Sequence, residues 1–265
     1  MEKEVKGYAL ITGASGGIGR ALALQFAQHK IPLILVARRE PELLELNLEI
    51  KNMVGRDLSV VYACDLTNPS GFDQLMSWIK DQNLHIKYLV NNAGYGNGGA
   101  FLSNPEAQEV NLLHLNIEAL VKLCHTIGNQ MKNRGGGFIL NVGSTAGYLP
   151  GPFLSTYYAS KAFVNSFTQS LHEELRPFGI SVTLLAPGPV ETAFVDRAGI
   201  GNSPLFKRLS VMTAETVAKS GFFALQKKQA ICVPGLQNKL LIWSLRITPA
   251  AMARRISGFL NHAKG

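Results

Sequence analysis

A short apolar run, Gly7–Thr12, leads without a break into TGASGGIG (Thr12–Gly19), and the following stretch, Gly17–His29, has helical periodicity. Few folds accept that succession. Glycine at 13 permits a tight turn, glycine at 17 lets a ligand approach the main chain, and glycine at 19 lets the helix pack closely on the strand. The helix start then presents free N–H groups and the positive end of its dipole, which suits a pyrophosphate. Ser15 and Ile18 belong to the same turn and join Gly13, Gly17 and Gly19 as candidate contacts.

The strand–helix rhythm continues. Runs rich in Val, Ile and Leu predict further strands at Leu33–Ala37, Ser59–Ala63, Lys87–Asn91, Phe138–Val142, Ser181–Ala186 and Ala230–Val233. Their lack of polar alternation suits parallel strands covered on both faces. Helices are expected at Pro41–Met53, Pro69–Asp81, Pro105–Met131, Thr156–Arg176 and Thr213–Gln226. Strict alternation predicts an α/β fold: a single-domain, doubly wound (Rossmann) parallel sheet of about seven strands with helices on both faces. Residues 1–235 are read as that catalytic domain. Residues 236–265 are read as its basic, amphipathic C-terminal extension, able to fold back onto the domain, pack on a subunit or lie on a membrane.

With 46% hydrophobic residues in 265, the chain can bury a sizeable core, which excludes a disordered protein. Cys64, Cys124 and Cys232 are far apart, which excludes a disulfide framework or zinc module and suits a reducing compartment. The six histidines are scattered, so no metal site is expected. The N-terminus reads as no signal peptide and no run reaches membrane-spanning length, so the expectation is a soluble, cytoplasmic protein. Charge is uneven: residues 1–196 carry 15 basic and 17 acidic residues, whereas 197–265 carry 11 basic and one acidic, Glu215. Such a tail attracts phosphates, an anionic membrane or an acidic protein. It has few interleaved aromatics, so nucleic acid is not expected.

Two further motifs carry chemistry. The second strand ends in LILVARRE, with Ala37 where an acid would accept the ribose 2′-hydroxyl of NAD, followed by Arg38 and Arg39. Guanidinium groups suit a 2′-phosphate, so the expected cofactor is NADP(H), with Arg38 as the principal contact. The segment NVGSTAGYLPGPFLSTYYASKAF holds Tyr157 and Lys161, four apart on one helical face, with Ser144 upstream. A nearby ammonium would lower the tyrosine pKa toward a usable general acid, and the serine hydroxyl could hold a reacting carbonyl. Tyr158 lacks a lysine at that spacing and reads as packing.

TGxxxGxG, NNAG (Asn91–Gly94) and Tyr157-x-x-x-Lys161 together resemble the compact short-chain dehydrogenase/reductases over roughly residues 7 to 195. The resemblance implies that Asp65 and Leu66 border the adenine, although a strand-end Asp serves equally as a helix N-cap. It implies that Asn92, Ala93 and Gly94 form a cofactor wall, and that Pro187, Gly188, Val190 and Thr192 in PGPVET anchor the carboxamide. Of Asn111 and Asn116, it selects Asn116 as fourth catalytic member beside Ser144, Tyr157 and Lys161. It also implies a homodimer or homotetramer. The substrate would be a carbonyl compound or secondary alcohol held by Ser144 and Tyr157, with Tyr95 and Phe153 as further contacts. Phe101, Leu149 and a lid within Phe194–Leu209 complete the candidate walls, whose apolar character suits a steroid, an acyl chain or a xenobiotic ketone. Alternatives are a 3-oxoacyl thioester reductase, or an NADP-binding sensor without turnover.

Overall fold

The computed structural model describes residues 7–192 and 211–262. Strands β1 (Tyr8–Thr12), β2 (Leu33–Ala37), β3 (Ser59–Ala63), β4 (Ile86–Asn91), β5 (Gly137–Val142), β6 (Ile180–Leu185) and β7 (Ile231–Cys232) form one sheet in the order β3-β2-β1-β4-β5-β6-β7. Every pairing is parallel. The order reverses between β1 and β4, which opens a crevice beyond their carboxyl ends where ligands bind in sheets of this kind.

Helices α1 (Gly17–Gln28), α2 (Glu40–Val54) and α7 (Ala214–Gln226) supply one of the two large cores. Within it, Phe26 meets Phe222 edge-on at 4.9 Å and Tyr88 at 5.5 Å. Helices α3 (Pro69–Asp81), α5 (Leu120–Asn133) and α6 (Ser155–Leu175) supply the other, through side chains such as Leu75, Leu123, Ile127 and Val164. Each such buried aliphatic side chain contributes roughly 1.5–3 kcal/mol. A polar ladder crosses this second core: Asn91 Nδ2 donates to Asn141 Oδ1 at 2.9 Å, and Asn141 Nδ2 to Thr168 Oγ1 at 3.1 Å.

The seven expected strands are all present, though the last is shorter than Ala230–Val233. It is an edge strand that pairs with β6 only at Ile231 and Cys232, and Pro234 follows closely. The helix expected over Pro105–Met131 is not uniform. It consists of α4 (Glu106–Leu113), a π-helical turn (His114–Ala119) and α5. Beyond β7 lie α8 (Leu236–Leu245) and α9 (Ala250–Asn261), which fold back over the loop before α6. Ser257 Oγ donates to Pro150 O at 2.7 Å, Asn261 Nδ2 to Pro152 O at 3.1 Å, and Tyr158 OH to Asn261 Oδ1 at 3.0 Å. Among the described residues no helix is long and apolar enough to cross a membrane.

Candidate active site

The crevice at the strand reversal continues into a cavity of about 820 Å³. Its floor at one end is the glycine turn. Gly13 and Gly17 have φ of +66° and +54°, a region costly for other residues. A Cβ on Gly19 would lie 2.3 Å from Gly13 O, so the helix could not sit so close with any larger residue. Thr12 Oγ1 accepts from the N–H groups of Asn92 and Ala93, both at 3.1 Å, and Asn92 Nδ2 donates back to Thr12 O at 3.0 Å. The glycine turn and the NNAG loop are thus clipped together as one wall. Ser15, Ile18, Ala93 and Gly94 line it, whereas Gly19 acts in helix packing behind it.

Arg38 and Arg39 both reach this end. Arg39 donates to Ser15 Oγ at 3.4 Å and pairs with Glu42 at 2.6 Å; Arg38 lies 3.7 Å from Asp65. Glu42 is an acid in the cavity lining that the strand-end reading did not consider. Asp65 caps no helix: its Oδ1 accepts from Thr67 N–H and Oγ1, while Asn68 is the N-cap of α3. Leu66 lines the same wall. Across the cavity stand Pro187, Gly188, Val190 and Thr192, and Thr192 faces Gly17. These features fit an NADP(H) adenosine and pyrophosphate: a glycine cradle at a helix N-terminus, with two guanidinium groups at the end of β2.

At the other end are Ser144, Tyr157 and Lys161. Ser144 caps a short 3-10 turn, its Oγ accepting from Ala146 N–H at 3.0 Å, and its side chain is hydrogen-bonded to that of Tyr157. Lys161, on the same face of α6, donates to Val142 O at 2.8 Å, with Nζ 5.9 Å from the Tyr157 ring centre. Burial lowers Lys161 to about 8. Burial also pushes the Tyr157 phenol well above its ordinary range; the Ser144 hydrogen bond opposes this, and Tyr158 adds to it. The expectation of a lowered tyrosine is therefore reversed. Desolvation outweighs the Ser144 hydrogen bond, while the Lys161 ammonium donates to Val142 O.

Asn116 lies in the π-helical turn, buried behind Gly94 and outside the cavity lining. Its Nδ2 donates to Tyr95 O and Ser160 Oγ, both at 3.0 Å, and its Oδ1 accepts from Tyr95 N–H at 3.1 Å. A Cβ on Gly94 would be 3.0 Å from Asn116 Oδ1 and 3.7 Å from Lys161 Nζ, so a side chain at this position would crowd both. The extra residue of a π turn re-aims side chains and is frequent at functional sites.

Tyr95 lines the cavity, its hydroxyl donating to Gln108 O at 3.2 Å. Phe153 does not line it. This residue takes φ +66°, its carbonyl accepts from Gly99 N–H, and its ring lies 4.6 Å from that of His262. Leu149 lines the cavity, Phe101 is exposed, and Phe194–Leu209 lies outside the described residues. Tyr158 packs, as expected, and anchors α9 through Asn261.

Two contributors escaped the sequence reading. Asn165, one turn beyond Lys161, holds the Ser144 main chain from both sides: Nδ2 donates to Ser144 O at 2.9 Å, and Oδ1 accepts from Ser144 N–H at 3.4 Å. The other is the C-terminal pair of helices, which brings Leu241, Leu245, Ile256 and Leu260 into the cavity wall.

Comparison with known proteins agrees with this architecture. The family model for short chain dehydrogenase matches residues 7–202. The 17-beta-hydroxysteroid dehydrogenase type 3 of Rattus norvegicus is 37% identical over 189 residues, covering 70% of this chain and 60% of the relative. The chain therefore spans less than two thirds of that relative. A very-long-chain 3-oxoacyl-CoA reductase of Coccidioides immitis is 31% identical over 95% of this chain and 72% of its own. A short-chain dehydrogenase from Sphingobium yanoikuyae, solved in complex with NADPH, superposes with a TM-score of 0.82 at 30% identity, covering 91% of this chain and 92% of that one. With its seven-stranded sheet and a match over well more than half its length, the chain belongs to the short chain dehydrogenase family.

Proposed function

We propose that this protein is an NADP(H)-dependent oxidoreductase acting on a carbonyl group, or the corresponding secondary alcohol, of a hydrophobic small molecule. One observation carries the reading: a single cavity joins the glycine turn and Arg38/Arg39 to the Ser144, Tyr157 and Lys161 cluster. Gly13, Gly17 and the start of α1 would take the pyrophosphate, Arg38 and Arg39 the 2′-phosphate, and Pro187 to Thr192 the carboxamide end. Bound there, the nicotinamide supplies or accepts a hydride.

The chain's own part is oxygen and proton chemistry. Ser144 positions the substrate oxygen through its hydroxyl. Tyr157, kept neutral by burial, donates its proton to that oxygen in carbonyl reduction and accepts it back in alcohol oxidation. Lys161 holds a positive charge close to the site at neutral pH, since it titrates near 8. Asn116 fixes Tyr95 and Ser160 on either side of the cluster. Apolar walls from Leu149, Leu154, Leu241 and Leu245 exclude water from the substrate end. The relatives' activities, on hydroxysteroids and very-long-chain 3-oxoacyl-CoA, support a large apolar substrate.

The protein acts in the cytoplasm, as a homodimer or homotetramer, with residues 236–265 as an extension that touches membrane peripherally. The test is oxidation of NADPH, and separately NADH, across bulky ketones and 3-oxoacyl thioesters, with Tyr157→Phe as control. Turnover with NADPH that falls at least about a hundredfold in the control supports the reading. NADPH binding with no turnover of any carbonyl compound overturns it in favour of a sensor.

A further inference from the structure

Helix α8 carries apolar side chains on two faces, and one of them lies at the surface. One stripe, Leu241 and Leu245 with Ser244 between, faces the cavity. A second stripe, Leu236, Leu240 and Trp243 in α8 with Ile247 in the turn that follows, is exposed at 71%, 57%, 61% and 72%. A contiguous exposed apolar stripe of this kind marks an interaction surface, so it calls for a cover. Helix α9 repeats the pattern: Ala253 and Ser257 are buried, while Met252 and Phe259 are exposed at 55% each.

Charge decides what the cover is. Lys239, Arg246, Arg254 and Arg255 lie beside these stripes, and from Thr216 to Gly265 the chain has no acidic residue. A second copy related by a two-fold axis would bring the same patch onto itself, cation against cation. An anionic lipid surface meets both demands. Apolar side chains enter the acyl boundary, Trp243 sits at headgroup level, and long cationic side chains reach the phosphates.

We infer that the outer faces of α8 and α9 seat this protein on anionic phospholipid bilayers, so that one helical pair forms both the membrane contact and the substrate-end wall of the cavity. The inference rests on the reading of that cavity as a site for a lipophilic substrate, but its test reads no turnover. A lipid-dissolved ketone would then reach Tyr157 past Leu245 and Ile256 without crossing bulk water.

The test is flotation of the full chain with vesicles of phosphatidylcholine alone and of phosphatidylcholine with phosphatidylserine. Wild type is expected to float with the anionic vesicles, to be released by high salt, and to stay behind with the neutral ones. Trp243→Ser/Ile247→Ser and Arg254→Glu/Arg255→Glu are each expected to lower partitioning at least tenfold. None of these four lines the cavity, so both variants keep wild-type affinity for NADPH, which also shows that they are folded. In a Trp78→Phe background, Trp243 emission shifts to the blue on anionic vesicles. Equal or absent binding to the two vesicle types overturns the proposal. So does a dimer that Trp243→Ser/Ile247→Ser converts to monomer by light scattering, which would assign the face to a second copy. Failure to bind NADPH at all would instead refute the proposed activity, whatever the vesicles show.

Discussion

Replacing Lys161 by methionine is expected to abolish turnover while making the fold more stable at neutral pH. The ammonium is buried and drops from the 10.5 of a solvated lysine to about 8. At about 1.4 kcal/mol for each tenfold change in proton affinity, the charged form destabilises the native state by about 3 kcal/mol at pH 7. Methionine removes that penalty but leaves Val142 O without the donor it has at 2.8 Å. An orphaned carbonyl costs about 1–3 kcal/mol, so the variant gains roughly 0–2 kcal/mol. The pH dependence is sharper than the net value. Below about pH 8 folded and unfolded wild type both hold the proton, and the penalty is complete. Between about 8 and 10.5 only the unfolded chain holds it, so wild-type stability rises with pH; above that range the penalty is gone. The variant's advantage should therefore shrink by about 2–3 kcal/mol between pH 7 and 10, read by urea unfolding of both proteins without cofactor. Other titrating groups are common to both and cancel. A difference that stays flat within about 0.5 kcal/mol across that range would show that Lys161 titrates as a solvated lysine, and the account of its burial would be wrong.

Other substitutions probe the remaining parts of the site. Asn165→Ala removes both hydrogen bonds to the Ser144 main chain, and kcat should fall about tenfold or more while NADPH affinity, by fluorescence titration, is unchanged. Arg38→Ala and Arg39→Ala should each raise the KM for NADPH about tenfold to a hundredfold and leave that for NADH nearly unaltered; equal effects on both would deny them the 2′-phosphate. Glu109 is buried and accepts from Asn97 and Asn104, both at 2.8 Å, and from Thr156 beside Tyr157. Burial raises this carboxyl, but the three hydrogen bonds outweigh it and hold it below the ordinary range. Its contribution to stability is present above the unfolded carboxylate pKa and is lost as pH falls through the lowered folded value. Glu109→Ala should cost about 1–3 kcal/mol in thermal unfolding at pH 7, with a smaller difference from wild type in acid.

The sheet was legible because parallel strands buried on both faces are near-continuous apolar runs, as Leu33–Ala37 is, with Ser181 and Thr183 the polar exceptions in β6. The glycine turn was legible for a related reason, since only glycine tolerates the backbone at 13 and 17 and the contact at 19. What stayed hidden depends on packing. No residue type encodes the π turn at His114–Ala119; it is a register error of one residue that Asn116 exploits by bonding Tyr95 on both sides. Asn165 carried a faint signal in its place on the face of Tyr157 and Lys161, but an asparagine there could equally have met solvent. The tyrosine pKa went the other way because sequence spacing gives the face of a helix and not the depth of a side chain, and depth set the sign.

The C-terminal helices show the same limit most fully. Their sequence reads as basic and amphipathic, and an apolar stripe states only that something must cover it. Coordinates resolve one stripe: Ser257, Asn261 and Tyr158 pin α9 to the loop before α6, which turns Ile256 and Leu260 toward the substrate end. Phe153 is the hinge of that arrangement. Its strained φ of +66° carries its ring onto His262 and its carbonyl to Gly99, so one residue ties the loop after β4 to the end of α9. A residue expected to touch substrate thus shapes the cavity by holding its wall. Under the proposed activity, the substrate-end wall is therefore built largely by residues beyond the sheet, Leu241, Leu245, Ile256 and Leu260 among them.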